Sequence, residues 1–163
     1  MALPTAQAAD VIPLSSLDGN NGFRLDGAAA GEISGGAVSN AGDINGDGID
    51  DLIIGASAAS PNGAVRAGSS YVVFGRKNGF DATINLSTLD GNSGFRLDGV
   101  SANDSSGAAV SSAGDINGDG VADLIIGARF ADPGGLVSAG SSYVVFGRSA
   151  QIFRDRFEES SPE

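Results

Sequence analysis

Apolar and polar residues alternate through GFRLD at residues 22–26, the period-two pattern of a strand half-buried in a sheet. Residues 36–41 (GAVSNA) carry mostly small side chains, which predicts a strand that its neighbours approach closely. DLIIGA at residues 51–56 is a short apolar run that reads as a strand buried on both faces. Residues 70–75 (SYVVFG) are β-branched and aromatic, as strands prefer. No window shows a helical period. The pattern therefore predicts four strands, with Gly and Asn at the breaks.

The same series then returns. Residues 14–76 align with residues 86–148 without a gap, and both stretches contain LDGN, GFRLDG, AGDINGDG, DLIIGA and AGSSYVVFGR. Residues 77–85 read as a linker, and residues 149–163 as a tail without a counterpart, expected to fray after Phe157. Within the N-terminal segment, residues 1–13, Ala6-Gln7-Ala8 resembles the small-residue cleavage site of a secretory leader. The basic and apolar regions that precede such a site are missing, so a signal-peptide remnant and a disordered Ala-rich start both account for it. One four-stranded sheet cannot bury both of its faces alone. Stacking sheets side by side, as propeller blades do, solves that problem. The small residues around Ala37 suit the crowded inner position near a propeller axis.

Composition narrows the chemistry. The 163 residues include 26 Gly, which favours strands and tight turns. The net charge of −11 argues against nucleic-acid recognition and against docking on anionic membranes. No apolar run approaches the length of a membrane span. The chain has no Cys and no His, which removes disulfides, zinc held by thiolate or imidazole, and nucleophilic triads built on His. An acidic surface suits a protein that binds cations.

The carboxylates are concentrated in one loop per repeat. Numbered from Asp43, the first loop has Asp43, Asn45, Asp47, Ile49 and Asp51 at positions 1, 3, 5, 7 and 9. The second has Asp115, Asn117, Asp119, Val121 and Asp123. Alternate positions thus carry oxygen ligands that a tight loop turns towards one centre, and position 7 offers its backbone carbonyl. Calcium takes about six to eight such oxygens, whereas magnesium demands rigid octahedral geometry. Gly48 and Gly120 at position 6 allow the sharp turn, and Asn45-Gly46 and Asn117-Gly118 are turn dipeptides. The loop is not an EF-hand: position 12 holds Ile54 or Ile126 where a bidentate Glu would be needed. A plain hairpin would explain NGDG but not Asp at positions 1, 5 and 9 together, because such carboxylates repel unless a cation or protons neutralise them. Asp50 is Ala122 in the other repeat and is left out of the ligand set.

D-x-N-x-D-G-x-x-D followed by LIIGA and then YVVFG resembles the FG-GAP repeat of integrin α-subunit β-propellers, also found in bacterial secreted proteins. The resemblance covers both repeats, and its most specific part is the calcium loop. It implies an all-β fold of β-propeller-type four-stranded blades, with the loop joining a blade's first two strands and Ca2+ rigidifying that hairpin, one ion per repeat. The name-giving elements differ here: they appear as Ser34-Gly35 and Ser106-Gly107, and as Gly55-Ala56-Ser57 and Gly127-Ala128-Arg129. In the family the outer strand of a blade comes from the start of the next repeat. GFRLD at residues 94–98 would then complete the first blade and leave residues 22–26 for another, the second blade lacking its own. Family propellers usually close with seven blades, and this chain has two. It is therefore a fragment of a longer protein, a subunit of an oligomer that completes a propeller, or a small open sandwich with residues 151–157 covering one edge.

These readings converge on a calcium-binding, non-catalytic module outside the cell or on its surface, for adhesion or protein–protein interaction, with an unidentified protein or glycan as ligand. The alternative is an accessory or glycan-binding module of a secreted hydrolase. Phe23, Phe74, Phe95 and Phe146 read as core rather than as sugar platforms. Tyr71 and Tyr143 read as core with hydroxyls at a rim, and Arg24 and Arg96 as solvated.

Overall fold

The computed structural model describes residues 11–148, so the proposed leader remnant and the tail lie largely or wholly outside the described residues. Nine strands follow in order among them: β1 (Arg24–Asp26), β2 (Ser34–Gly42), β3 (Asp51–Ala56), β4 (Ser69–Val73), β5 (Thr83–Asn85), β6 (Gly94–Asp98), β7 (Ser106–Gly114), β8 (Asp123–Ala128) and β9 (Ser141–Val145). Short 3-10 turns complete the described chain, which contains no α-helix.

The strands form two blades. The first is a four-stranded antiparallel sheet in the order β2-β3-β4-β6, its outer strand borrowed from the second repeat as the family's strand order implied. The second is β7-β8-β9, three-stranded among the described residues. Residues 22–26 do not complete it. Their strand, β1, pairs in parallel with β5, which lies inside the stretch read as a linker. Two three-residue strands that meet in parallel leave almost no periodic signal in the sequence.

One apolar layer holds the blades together. Ile53, Val72, Phe74 and Phe95 of the first blade meet Leu124 and Ile126 of the second, with Ile44 buried among them. A second layer on the far side of the first blade joins Ile54, Tyr71, Val73 and Leu86 and takes in Leu25 of β1. The backbones approach closely at the junction: a Cβ on Gly55 would stand 2.0 Å from the carbonyl oxygen of Gly107. The inner strands β2 and β7 lie against each other, in keeping with their small side chains.

Two expectations about aromatic residues need correction. Phe74 and Phe95 are buried and in ring contact, but Phe146 is exposed, because no third blade stands against the second one among the described residues. Tyr71 does not carry its hydroxyl at a rim. The hydroxyl donates to buried Glu32 at 3.1 Å, and burial, followed by the Glu32 charge, pushes its pKa up to about 12. Glu32 also accepts from the backbone N–H of Ala28. Arg24 and Arg96 are solvated as expected, each paired with an Asp two residues on, at 2.7 Å. Tyr71→Phe is expected to lower stability by about 1–2 kcal/mol in urea melts, because it removes a partner from a buried carboxylate. Tyr143→Phe, at a half-buried position, should change it by less than about 0.5 kcal/mol.

Candidate metal centre

Both acidic loops occupy the same place in their blades, between β2 and β3 and between β7 and β8. The hairpins carry register shifts between Asn40 and Gly42 and between Ser112 and Gly114, which turn the chain out of the sheet where each loop begins. Gly48 and Gly120 take φ of +84° and +87°, in the left-handed region that a Cβ opposes, as the turn reading required.

The first three candidate positions come together in each loop. The Asp47 N–H donates to Asp43 Oδ1 at 3.0 Å and to Asn45 Oδ1 at 2.9 Å. The Gly48 N–H donates to Asp43 Oδ2 at 2.8 Å, and the Ile49 N–H to Asp47 Oδ1 at 2.9 Å. Asn45 Nδ2 donates to Asp47 Oδ2 at 3.1 Å. The second loop repeats the network through Asp115, Asn117 and Asp119, with the Asp119, Gly120 and Val121 N–H groups as donors. Ile49 and Val121 at position 7 turn half-buried side chains inward.

Position 9 behaves differently. Asp51 is fully buried, and its two oxygens accept from the Ile44 N–H at 3.0 Å and the Gly75 N–H at 2.8 Å. Asp123, also fully buried, holds the N–H groups of Ile116 and Gly147, both at 2.9 Å. Each carboxylate therefore latches the start of its loop to the chain just past the blade's third strand. Spacing alone did not reveal this role; the signal was the pairing of each DLIIGA with a distant FG dipeptide in both repeats. Burial pushes the Asp51 carboxyl up to about 6; the Gly75 and Ile44 N–H groups offset part of the rise, and the charges of Asp47 and Asp43 add to it.

Among the described residues no three acidic side chains form a ready-made metal cluster, since positions 1 and 5 are tied to loop N–H groups and position 9 to the latch. The donor chemistry nonetheless fits a hard divalent cation. Every candidate atom is oxygen, and space beside the position-6 glycines is open. The repulsion felt by Asp51 is of the kind that a cation relieves.

The first loop also joins the blades, which the sequence did not disclose. The Asp43 carbonyl accepts from the Ala122 N–H at 2.9 Å, and that of Ile44 from the Arg148 N–H at 3.0 Å. The second loop has no such cover among the described residues and is correspondingly more exposed.

Comparison with known proteins matches the fold. The family described as FG-GAP repeat matches residues 34–73 and 106–145, which run from the first strand of each blade to its third. Among curated proteins, phosphatidylinositol-glycan-specific phospholipase D of Mus musculus is 34% identical over 112 residues, covering 69% of this chain and 13% of the relative. Its counterpart in Bos taurus is 36% identical over 105 residues, covering 64% of this chain and 12% of the relative. The chain thus spans about an eighth of the length of these relatives.

Proposed function

The chain carries two FG-GAP repeats, and from that premise we propose that it is a calcium-stabilised interaction module that works outside the cell. The repeat unit is non-catalytic in itself. The observation that carries the calcium reading is the pair of acidic loops, in both of which the N–H at position 5 donates to the Asp at position 1 and the Asn at position 3. Asp43, Asn45, Asp47, Asp51 and the Ile49 carbonyl would hold one ion, and Asp115, Asn117, Asp119, Asp123 and the Val121 carbonyl the other. A bound ion would supply positive charge to a crowded set of carboxylates. The chain's own contribution is to present them: the glycines bend the loop, and the buried Asp at position 9 anchors its start.

An extracellular setting accords with this reading, because modules there fill with affinities of only about 10⁻⁴–10⁻³ M. Among the described residues no helix is long and apolar enough to cross a membrane. With neither His nor Cys, the chain lacks the side chains on which most nucleophilic and general-base sites are built.

The similarity to a phospholipase favours a second reading, that the repeats serve as an accessory module of a hydrolase. Binding assays against phosphatidylinositol-glycan and against protein ligands separate the two, since an accessory module should retain the lipid-linked glycan and an adhesion module should not.

Calorimetric titration tests the metal sites. Two calcium ions per chain are expected, falling to one in Asp47→Ala and in Asp119→Ala, with the double variant silent. A stoichiometry that ignores both substitutions would remove these loops as the sites.

A further inference from the structure

The first blade contains a template for a junction that the second blade lacks among the described residues. β4 (SSYVV) is covered by β6 (GFRLD), with Tyr71 opposite Arg96 and Val72 opposite Phe95. β9 has the same sequence as β4 but, among the described residues, pairs only with β8. Among the described residues the face beyond it is open. Val144 is 45% exposed where Val72 is 0%, Phe146 is 51% where Phe74 is 7%, and Ile116 is 56% where Ile44 is 0%.

The chain also holds a second GFRLD, at residues 22–26, already set in the conformation of the first. Gly22 and Gly94 share φ values of +144° and +147°. The Gly19 N–H donates to the Gly22 carbonyl at 2.8 Å, as Gly91 does to Gly94 at 2.9 Å. Asp18 and Asp90 cap the same turn, and Arg24–Asp26 repeats Arg96–Asp98. The Arg24 N–H points to β5 by donating to the Ala82 carbonyl at 3.0 Å. Strand alternation then turns the backbone of Phe23 and Leu25 to the opposite edge. That is the edge β6 uses, since the Ser93 carbonyl accepts from the Phe74 N–H at 3.0 Å.

Beside this edge lies a cleft of about 250 Å³ lined by Phe23, Leu52, Val73, Phe80, Asp50 and Arg76, among others. Asp50 and Arg76 are the repeat counterparts of Ala122 and Arg148, which receive the Asp43–Ile44 corner at the internal junction. The exposed Asp115–Ile116 corner is the matching plug.

We propose that copies of this chain associate head to tail, the second blade of one docking on the first blade of the next. β9 pairs antiparallel with residues 22–26 of the next copy, Tyr143 opposite Arg24 and Val144 opposite Phe23, and Ile116 fills the cleft. The junction reproduces between copies the contact that the two repeats make within one. It is heterologous, so it yields rings or open chains. The inference goes beyond the calcium reading and can fail separately, because one is read by mass and the other by metal stoichiometry.

Sedimentation equilibrium of the full chain tests it. The mass should rise with concentration from 16.1 kDa to multiples of that value. Ile116→Arg and Leu52→Arg, on opposite faces of the junction, should each weaken association about a hundredfold. Mixed together they should give a 1:1 dimer, because one intact junction remains. Val144→Arg serves as a second variant on the Ile116 face, and circular dichroism confirms that each variant folds. A chain that stays monomeric at every concentration overturns the proposal, as does a symmetric dimer that mixing does not restore. Protection of the Ser142 and Val144 amides, on the edge of β9 away from β8, from hydrogen exchange in a monomer overturns it too, because the chain's own residues would then occupy that edge.

Discussion

Millimolar calcium is expected to raise the melting temperature by about 10 °C over the same protein in chelator. An ion that binds only the folded state stabilises by RT ln(1 + [L]/Kd), or about 1.4 kcal/mol per site at tenfold excess over Kd. Two sites give about 3 kcal/mol, and each kcal/mol moves the midpoint by about 2–4 °C in a domain of this size. The effect should exceed that of sodium chloride at equal ionic strength, since screening weakens carboxylate repulsion without supplying a ligated charge. It should also exceed that of magnesium, which accepts the flexible all-oxygen loop less readily. Scanning calorimetry in calcium, magnesium and chelator reads all of these. Superimposed melts in calcium and chelator would remove metal from the account of stability.

The sheets were largely legible because their strands alternate or run apolar over five or more residues. β3 falls where DLIIGA predicts it, and β2 and β4 differ from expectation by one or two residues at their ends. What escaped was the pairing of the shortest segments. β1 and β5 are three residues each, and their parallel contact depends on where the blades place them. The exposure of Phe146 was equally hidden, because an identical SYVVFG is buried in one repeat and bare in the other. Periodicity reports which face is apolar; the neighbouring blade decides whether that face is covered.

The hydrogen-bonded loop was legible in its residues but not in its division of labour. Spacing placed Asp43, Asn45 and Asp47 on one loop, and the structure brings them into one network. Spacing read Asp51 as the ligand at position 9. The structure gives it two backbone donors in the interior, a role that depends on Gly75, 24 residues away. The contact between Tyr71 and Glu32, 39 residues apart, was invisible for the same reason.

That division of labour predicts that Asp51→Ala and Asp47→Ala fail in different ways. Asp51→Ala should destabilise the chain by about 2–5 kcal/mol even in chelator. It strands the Ile44 and Gly75 N–H groups, each worth about 1–3 kcal/mol when a buried donor loses its partner. An opposing term returns part of this, because burial disfavours the Asp51 charge and its removal relieves that cost. The loss should still win, since the carboxylate fills a closed space that Ala leaves empty. Asp51→Asn keeps the shape but sets an amide N–H₂ against one of two backbone donors, so its cost should be smaller, about 1–3 kcal/mol. Asp47→Ala removes an exposed side chain and should matter little in chelator, while abolishing one site's share of the calcium stabilisation. Urea melts of the three variants in chelator and in calcium separate the roles. If Asp51→Ala lost only the calcium increment, as Asp47→Ala should, the latch would carry no weight and position 9 would be a ligand alone.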